Sequence, residues 1–222
     1  LDSSNKAAST YFDVSLGSVV LKPLRIFVLG EVRQPGAYNV KRTSSLFSSL
    51  FYFNGPTIKG SLREINLIRK GNTVATIDYY DYLLSGKKIK DIRLQNDDVV
   101  FIPPRGKTVK ISGEINRPSI YELRDNEDLK DLLQISSGLK PSAYMDRIQI
   151  NRIIPFKKRK KLGINRTIVD VSLNDLFSSL KRFDLYNGDE IIIFPIFENV
   201  QNVVTINGSV KRPGDYDLAN GL

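Results

Sequence analysis

The 222-residue chain contains no cysteine and no histidine. Without cysteine it has no disulfide, no thiolate nucleophile and no thiolate metal ligand. Without histidine the Ser-His-Asp and Cys-His arrangements fall away, as do ordinary zinc and haem sites. Chemistry would have to rest on carboxylates, and no acid pair here stands apart from turn or surface use. We therefore expect no enzyme, no bound metal and no cofactor. The missing cysteine fits an oxidising or a reducing compartment equally. No run approaches the roughly 18 apolar residues of a membrane-spanning helix, so no span is expected in this window. Leu1 is not an initiator Met and no signal peptide opens the chain. A piece of a longer protein is the expectation.

What is present supports folded structure. Hydrophobic residues make up 41% of the chain, enough for real cores. Thirty-three Lys and Arg against 24 Asp and Glu leave a net charge of +9, which suits an anionic partner.

The stretch IFVLGEVRQPGAYNV (Ile26 to Val40) returns as VKISGEINRPSIYEL (Val109 to Leu123) and as VTINGSVKRPGDYDL (Val204 to Leu218). Each copy places a Pro five residues after a Gly and a Tyr eight after it. The sets are Gly30/Pro35/Tyr38, Gly113/Pro118/Tyr121 and Gly208/Pro213/Tyr216. A recurrence at fixed spacing signals repeated structural units. Alternation of Ile26, Val28 and Val32, a turn at Gln34-Pro35-Gly36, and resumption at Tyr38 and Val40 predict a hairpin. A Gly within such a strand marks a bulge or a close backbone approach.

A helix follows in each of the first two copies. Leu46, Leu50 and Phe53 share one face before Asn54-Gly55; Leu129, Leu132 and Leu133 do so before Ser137-Gly138, with a cap expected near Asp125 or Asn126. A third strand is expected at Arg63–Arg69 and at Asp146–Arg152, and a fourth at Val74–Asp78 and Ile168–Asp170. The second copy carries extra residues between these two strands, including Phe156-Lys157-Lys158-Arg159-Lys160-Lys161-Leu162-Gly163, read as a loop. A short helix and an apolar closing strand end each copy, the strand preceded by Asn96-Asp97-Asp98 or Asn187-Gly188-Asp189 and followed by Pro103 or Pro195.

One unit is thus a hairpin, a helix and returning strands: an α+β fold of tandem β-grasp repeats, each a ubiquitin-like mixed sheet with one packed helix. The tyrosine of each motif is expected to pack on that sheet. Residues 26–104 and 109–196 are read as complete domains. Residues 1–24 read as the tail of a preceding element, because Gly17–Pro23 has the form of a closing strand. Residues 203–222 read as the opening hairpin of a third, incomplete copy.

The pattern G-E-V-x-x-P-G-x-Y, an apolar helix ending in Gly, and an acidic turn before V-V-x-I-P resembles the SLBB (soluble-ligand-binding β-grasp) domain. Its positions are Gly30, Glu31, Pro35, Gly36, Tyr38, Gly55, Asp98 and Pro103, then Gly113, Glu114, Pro118, Tyr121, Gly138, Asp189 and Pro195. The chain is most similar to the tandem copies in bacterial outer-membrane polysaccharide export proteins. The resemblance implies a non-enzymatic binding and assembly module in the periplasm or outer membrane of a Gram-negative bacterium. It also implies a homo-oligomeric conduit, a polysaccharide as partner and an inner-membrane export partner. The alternative is a soluble carbohydrate- or cofactor-binding β-grasp protein.

Candidate sites follow from charge and ring chemistry. Lys157, Lys158, Arg159, Lys160 and Lys161 suit an anionic glycan, lipopolysaccharide phosphate or a membrane surface, against the plainer reading of a solvated loop. No aromatic-interleaved basic strand or helix accompanies them, so nucleic acid is not expected. Arg33, Gln34, Arg117, Lys211 and Arg212 mark hairpin tips that could meet neighbouring domains or subunits, or simply face water. Phe51-Tyr52-Phe53 and Tyr79-Tyr80-Tyr82 could stack on sugars, with core packing the stronger expectation. Asp97 and Asp98 suit a turn better than a calcium site.

Overall fold

A computed structural model describes residues 22–86, 91–197 and 202–218. The reading of residues 1–24 falls almost wholly outside the described residues. The chain divides into two compact units between Arg105 and Gly106.

In the first unit, β1 (Leu24–Gly30) and β2 (Gly36–Val40) form the hairpin, and β3 (Ile65–Arg69), β4 (Asn72–Ile77) and β5 (Val99–Ile102) complete a five-stranded sheet. The strand order is β2-β1-β5-β3-β4. The closing strand β5 runs parallel to β1 and antiparallel to β3, so the last strand of the unit sits at the centre of its sheet. This is the mixed β-grasp sheet. Between β2 and β3 lies α1 (Leu46–Ser49), continued by a single 3-10 turn at Leu50–Tyr52; α2 (Tyr79–Ser85) follows β4.

The core is written in alternation. Ile26, Val28, Ile65, Leu67, Val100 and Ile102 are fully buried, and Leu46, Phe47, Leu50 and Phe53 from the helical segment join the same cluster. Each such side chain removed from water contributes about 1.5–3 kcal/mol. Ser45 caps α1 in a reciprocal capping box with Ser48, and the Asp91 carboxylate accepts from the Phe47 N–H (3.0 Å).

The second unit repeats the plan. Its strands β6 (Lys107–Gly113), β7 (Ser119–Leu123), β8 (Ala143–Ile153), β9 (Arg166–Val171) and β10 (Glu190–Pro195) take the order β7-β6-β10-β8-β9. Helix α3 (Leu129–Ile135) buries Leu129, Leu132, Leu133 and Ile135. Its cap is Asp128, whose carboxylate accepts from Lys130 and Asp131, and not Asp125 or Asn126. The earlier positions are used differently, because Arg124 and Glu127 close a turn on each other there.

The two units differ at one sheet edge. Lys70 and Gly71, both at positive φ, form the tight turn between β3 and β4, which matches the twist of a hairpin. The equivalent connection in the second unit spans 154–165 and contains a helix, α4 (Phe156–Leu162), so the expected basic loop is corrected to a helix. Arg159, Lys160 and Lys161 lie in its last turn, where cations suit the helix dipole, and Gly163 ends it in a left-handed conformation. A further helix, α5 (Leu173–Ser178), follows β9. The third copy is the hairpin of β11 (Val203–Ile206) and β12 (Gly214–Asp217).

Candidate functional site

The repeated Gly, Pro and Tyr build the hairpin end. Gly30 has φ +91° and pairs with Ile102, and the next N–H, of Glu31, donates to the Ile102 carbonyl (2.8 Å). Gly113 has φ +89°, and Glu114 donates to Ile193 (3.0 Å) in the same way. The tyrosine hydroxyl then donates to the backbone carbonyl four residues before it. Tyr38 meets Gln34, Tyr121 meets Arg117 and Tyr216 meets Arg212, each at 2.7 Å. The tyrosines therefore do more than pack on the sheet: each ties down its own hairpin connection.

That tie fixes where the predicted tip residues stand. The carbonyls of Gln34, Arg117 and Arg212 are held by tyrosine, while their side chains, with those of Arg33 and Lys211, are exposed. Each hairpin thus presents at least one cation within two residues of a proline on a braced connection.

The acidic turns are structural in both units. Asn96 accepts from the Arg25 N–H (3.1 Å), and Asn187 from the Thr108 N–H (2.8 Å). The next residues, Asp97 and Gly188, take positive φ. The Asp98 carboxylate, fully buried, is gripped by Arg69 through Nε and Nη2, both at 2.8 Å. These bonds raise the Arg69 guanidinium above its ordinary pKa. Asp189, also fully buried, is held by Arg152 (2.8 Å at its shortest). Asp98 and Asp189 are thus arginine partners, and no cluster of acidic side chains that could hold a metal occurs among the described residues.

In the second unit this clasp carries an aromatic ring. The Arg152 guanidinium lies 4.0 Å from the centroid of the Tyr186 ring. Tyr186 occupies the place that Gln95 holds in the first unit, three residues before the clasped aspartate. Tyr186 lines an open cleft of about 650 Å³ together with Lys107, Asp125, Arg182, Asp184 and Asn187. Two of these cations are already engaged: Lys107 donates to the Glu127 carbonyl (3.3 Å) and Arg182 to the Asn126 carbonyl (2.6 Å). A ring edged by donors and acceptors of both signs can contact a sugar and hydrogen-bond its hydroxyls. Sequence reading missed this cleft. The signal available was an Arg closing the third strand of both copies, in register with an Asp in both closing turns.

The basic helix rises from the same unit. Its first residue follows Pro155, which also lines the cleft, and the Lys158 ammonium lies 6.0 Å from the Tyr186 ring centroid. No residue of α4 is buried. The structure brings Lys157, Lys158, Arg159, Lys160 and Lys161 together on one short helix, whereas the tip residues belong to three separate hairpins.

The aromatic clusters resolve mainly into core. Phe53 and Tyr80 are buried, and Phe47 packs against Tyr79 (5.5 Å) and Tyr82 (4.4 Å). Tyr52 is half-exposed; its hydroxyl accepts from the Lys41 N–H, and with Ser44 as its main hydrogen-bond partner its pKa is lowered. Phe51 is the exception, 72% exposed.

Comparison with known proteins agrees with this geometry. The SLBB domain model matches residues 25–78 and again 108–165, together just over half of the chain. Two curated relatives, both named polysialic acid transport protein KpsD from Escherichia coli, are 29% identical over 142 residues, covering 63% of this chain and 25% of theirs. The chain thus spans about a quarter of the length of the curated relatives it matches. With two braced hairpins, two β-grasp sheets and two matches in sequence, the chain belongs to the SLBB domain family.

Proposed function

We propose that this chain is the binding and assembly part of a polysaccharide export protein, working without catalysis. The observation that carries the reading is the pair of SLBB units in a chain similar to a polysialic acid transport protein. The net charge of +9 is consistent with an anionic polymer as cargo.

In this reading the SLBB units of neighbouring copies stack into a homo-oligomeric conduit in the periplasm and outer membrane, fed by an inner-membrane export partner. Arg33, Gln34, Arg117, Lys211 and Arg212 are the proposed contact points. Braced, exposed tips suit that role because a rigid loop loses little entropy on docking. The test is the mass of the full-length protein in detergent. A defined multiple of the protomer mass is expected; a strict monomer overturns the conduit.

A second reading, a soluble carbohydrate-binding protein, is favoured by the cleft at Tyr186. It requires calorimetric binding of a glycan by the chain alone, lost in Tyr186→Ala. Absence of heat across acidic and neutral glycans removes it.

A further inference from the structure

The connection 154–165 is the place where the second unit departs most from the first. Helix α4 and its flanks carry Lys157, Lys158, Arg159, Lys160, Lys161 and Arg166 with no acidic residue among them. They also expose carbon. Phe156 is 82% exposed, Leu162 52% and Ile164 46%.

These groups are sorted along the helix. At roughly 100° per residue, Phe156, Arg159 and Leu162 fall along one side and the four lysines fall on the rest. Arg159 is used internally: its Nε donates to the Ile154 carbonyl (2.7 Å), and its guanidinium lies 5.1 Å from the Phe156 ring centroid. The apolar side is therefore bounded by a phenylalanine and a leucine with a folded-back arginine between them. Lys157, Lys160 and Lys161 are left for outside charge, and Lys158 also lies 6.0 Å from the Tyr186 ring centroid.

An acidic glycan in water would answer the lysines and leave Phe156, Leu162 and Ile164 exposed. An anionic bilayer surface answers both, since phosphate headgroups take the ammonium groups and the boundary beneath them takes the apolar side chains. A helix of this length cannot span, so it would lie at the surface. We propose that α4 with Ile164 is a docking point for a bilayer surface bearing anionic phospholipid. This goes beyond the export reading and does not depend on it.

The full chain is sedimented with vesicles of phosphatidylcholine, with or without phosphatidylglycerol. It pellets with the phosphatidylglycerol vesicles, and salt weakens the binding. Replacing Lys157, Lys158, Lys160 and Lys161 by Ser lowers affinity on the order of 1,000-fold. Phe156→Ser with Leu162→Ser lowers it roughly ten-fold. The chain has no tryptophan, so Phe156→Trp gives a single reporter whose emission moves to the blue on adding these vesicles. No pelleting, or no shift of that emission, overturns the proposal. So does binding unaffected by Phe156→Ser with Leu162→Ser but abolished by soluble polysialic acid, which would make α4 a glycan contact.

Discussion

Gly30 stands against the carbonyl of Ile102 so closely that a Cβ built on it falls onto the carbonyl oxygen and 2.9 Å from the carbonyl carbon. Gly113 has the same relation to Ile193. The hairpin connection leaves β1 at this point, crossing the end of the parallel closing strand, and only a residue without a side chain can follow that path.

Gly30→Ala and Gly113→Ala should therefore each cost at least about 3 kcal/mol, combining positive-φ strain with a backbone clash. Urea unfolding measures it. A cost below about 1 kcal/mol in either would mean that the strands can move apart.

The tyrosine ties are smaller and separable. Tyr121→Phe keeps the buried ring and removes the bond to the Arg117 carbonyl. A loss of about 1 kcal/mol is expected in the same assay. Proteolysis at the hairpin connection should rise with it.

The clasps should be far more costly to break. Arg152→Ala leaves the fully buried Asp189 carboxylate without its guanidinium, and Arg69→Ala does the same to Asp98. Each is expected to lose about 3–5 kcal/mol. Double-mutant cycles with Asp189→Asn and Asp98→Asn check that the loss belongs to the pair.

The basic helix should matter little for folding. Because no residue of α4 is buried, serine at any one of Lys157, Lys158, Lys160 or Lys161 should change stability by less than about 0.5 kcal/mol. A large fall in the melting temperature would show that the helix supports the unit.

The two units should also be separable. Residues 22–105 and 106–197, expressed apart, are each expected to unfold in one cooperative transition in circular dichroism. We propose the domain bounds on this basis, and loss of structure in either piece would contradict them.

How much of this was legible follows from what the chain is forced to use. The Gly/Pro/Tyr spacing is imposed by backbone geometry, so it recurs in sequence and announces the repeat. Alternation in β1, β3 and β5 is imposed by a sheet with one buried face, and it placed the strands correctly. Helix α4 was not legible as a helix, because Lys157 to Lys161 contain no apolar period to read. The cap at Asp128 was missed because four acidic or amide residues, Asp125 to Asp128, precede α3, and hydrogen bonding between Arg124 and Glu127 decides among them. The cleft at Tyr186 depends on residues far apart in sequence, joined by the Arg152–Asp189 clasp.

The most direct test of the central claim is surface polysaccharide in the organism that carries the full-length gene. Removing residues 26–196 in frame should abolish polymer at the cell surface while polymer accumulates inside. Unchanged surface polymer, with the truncated protein present at normal level, would contradict a role for these SLBB units in export.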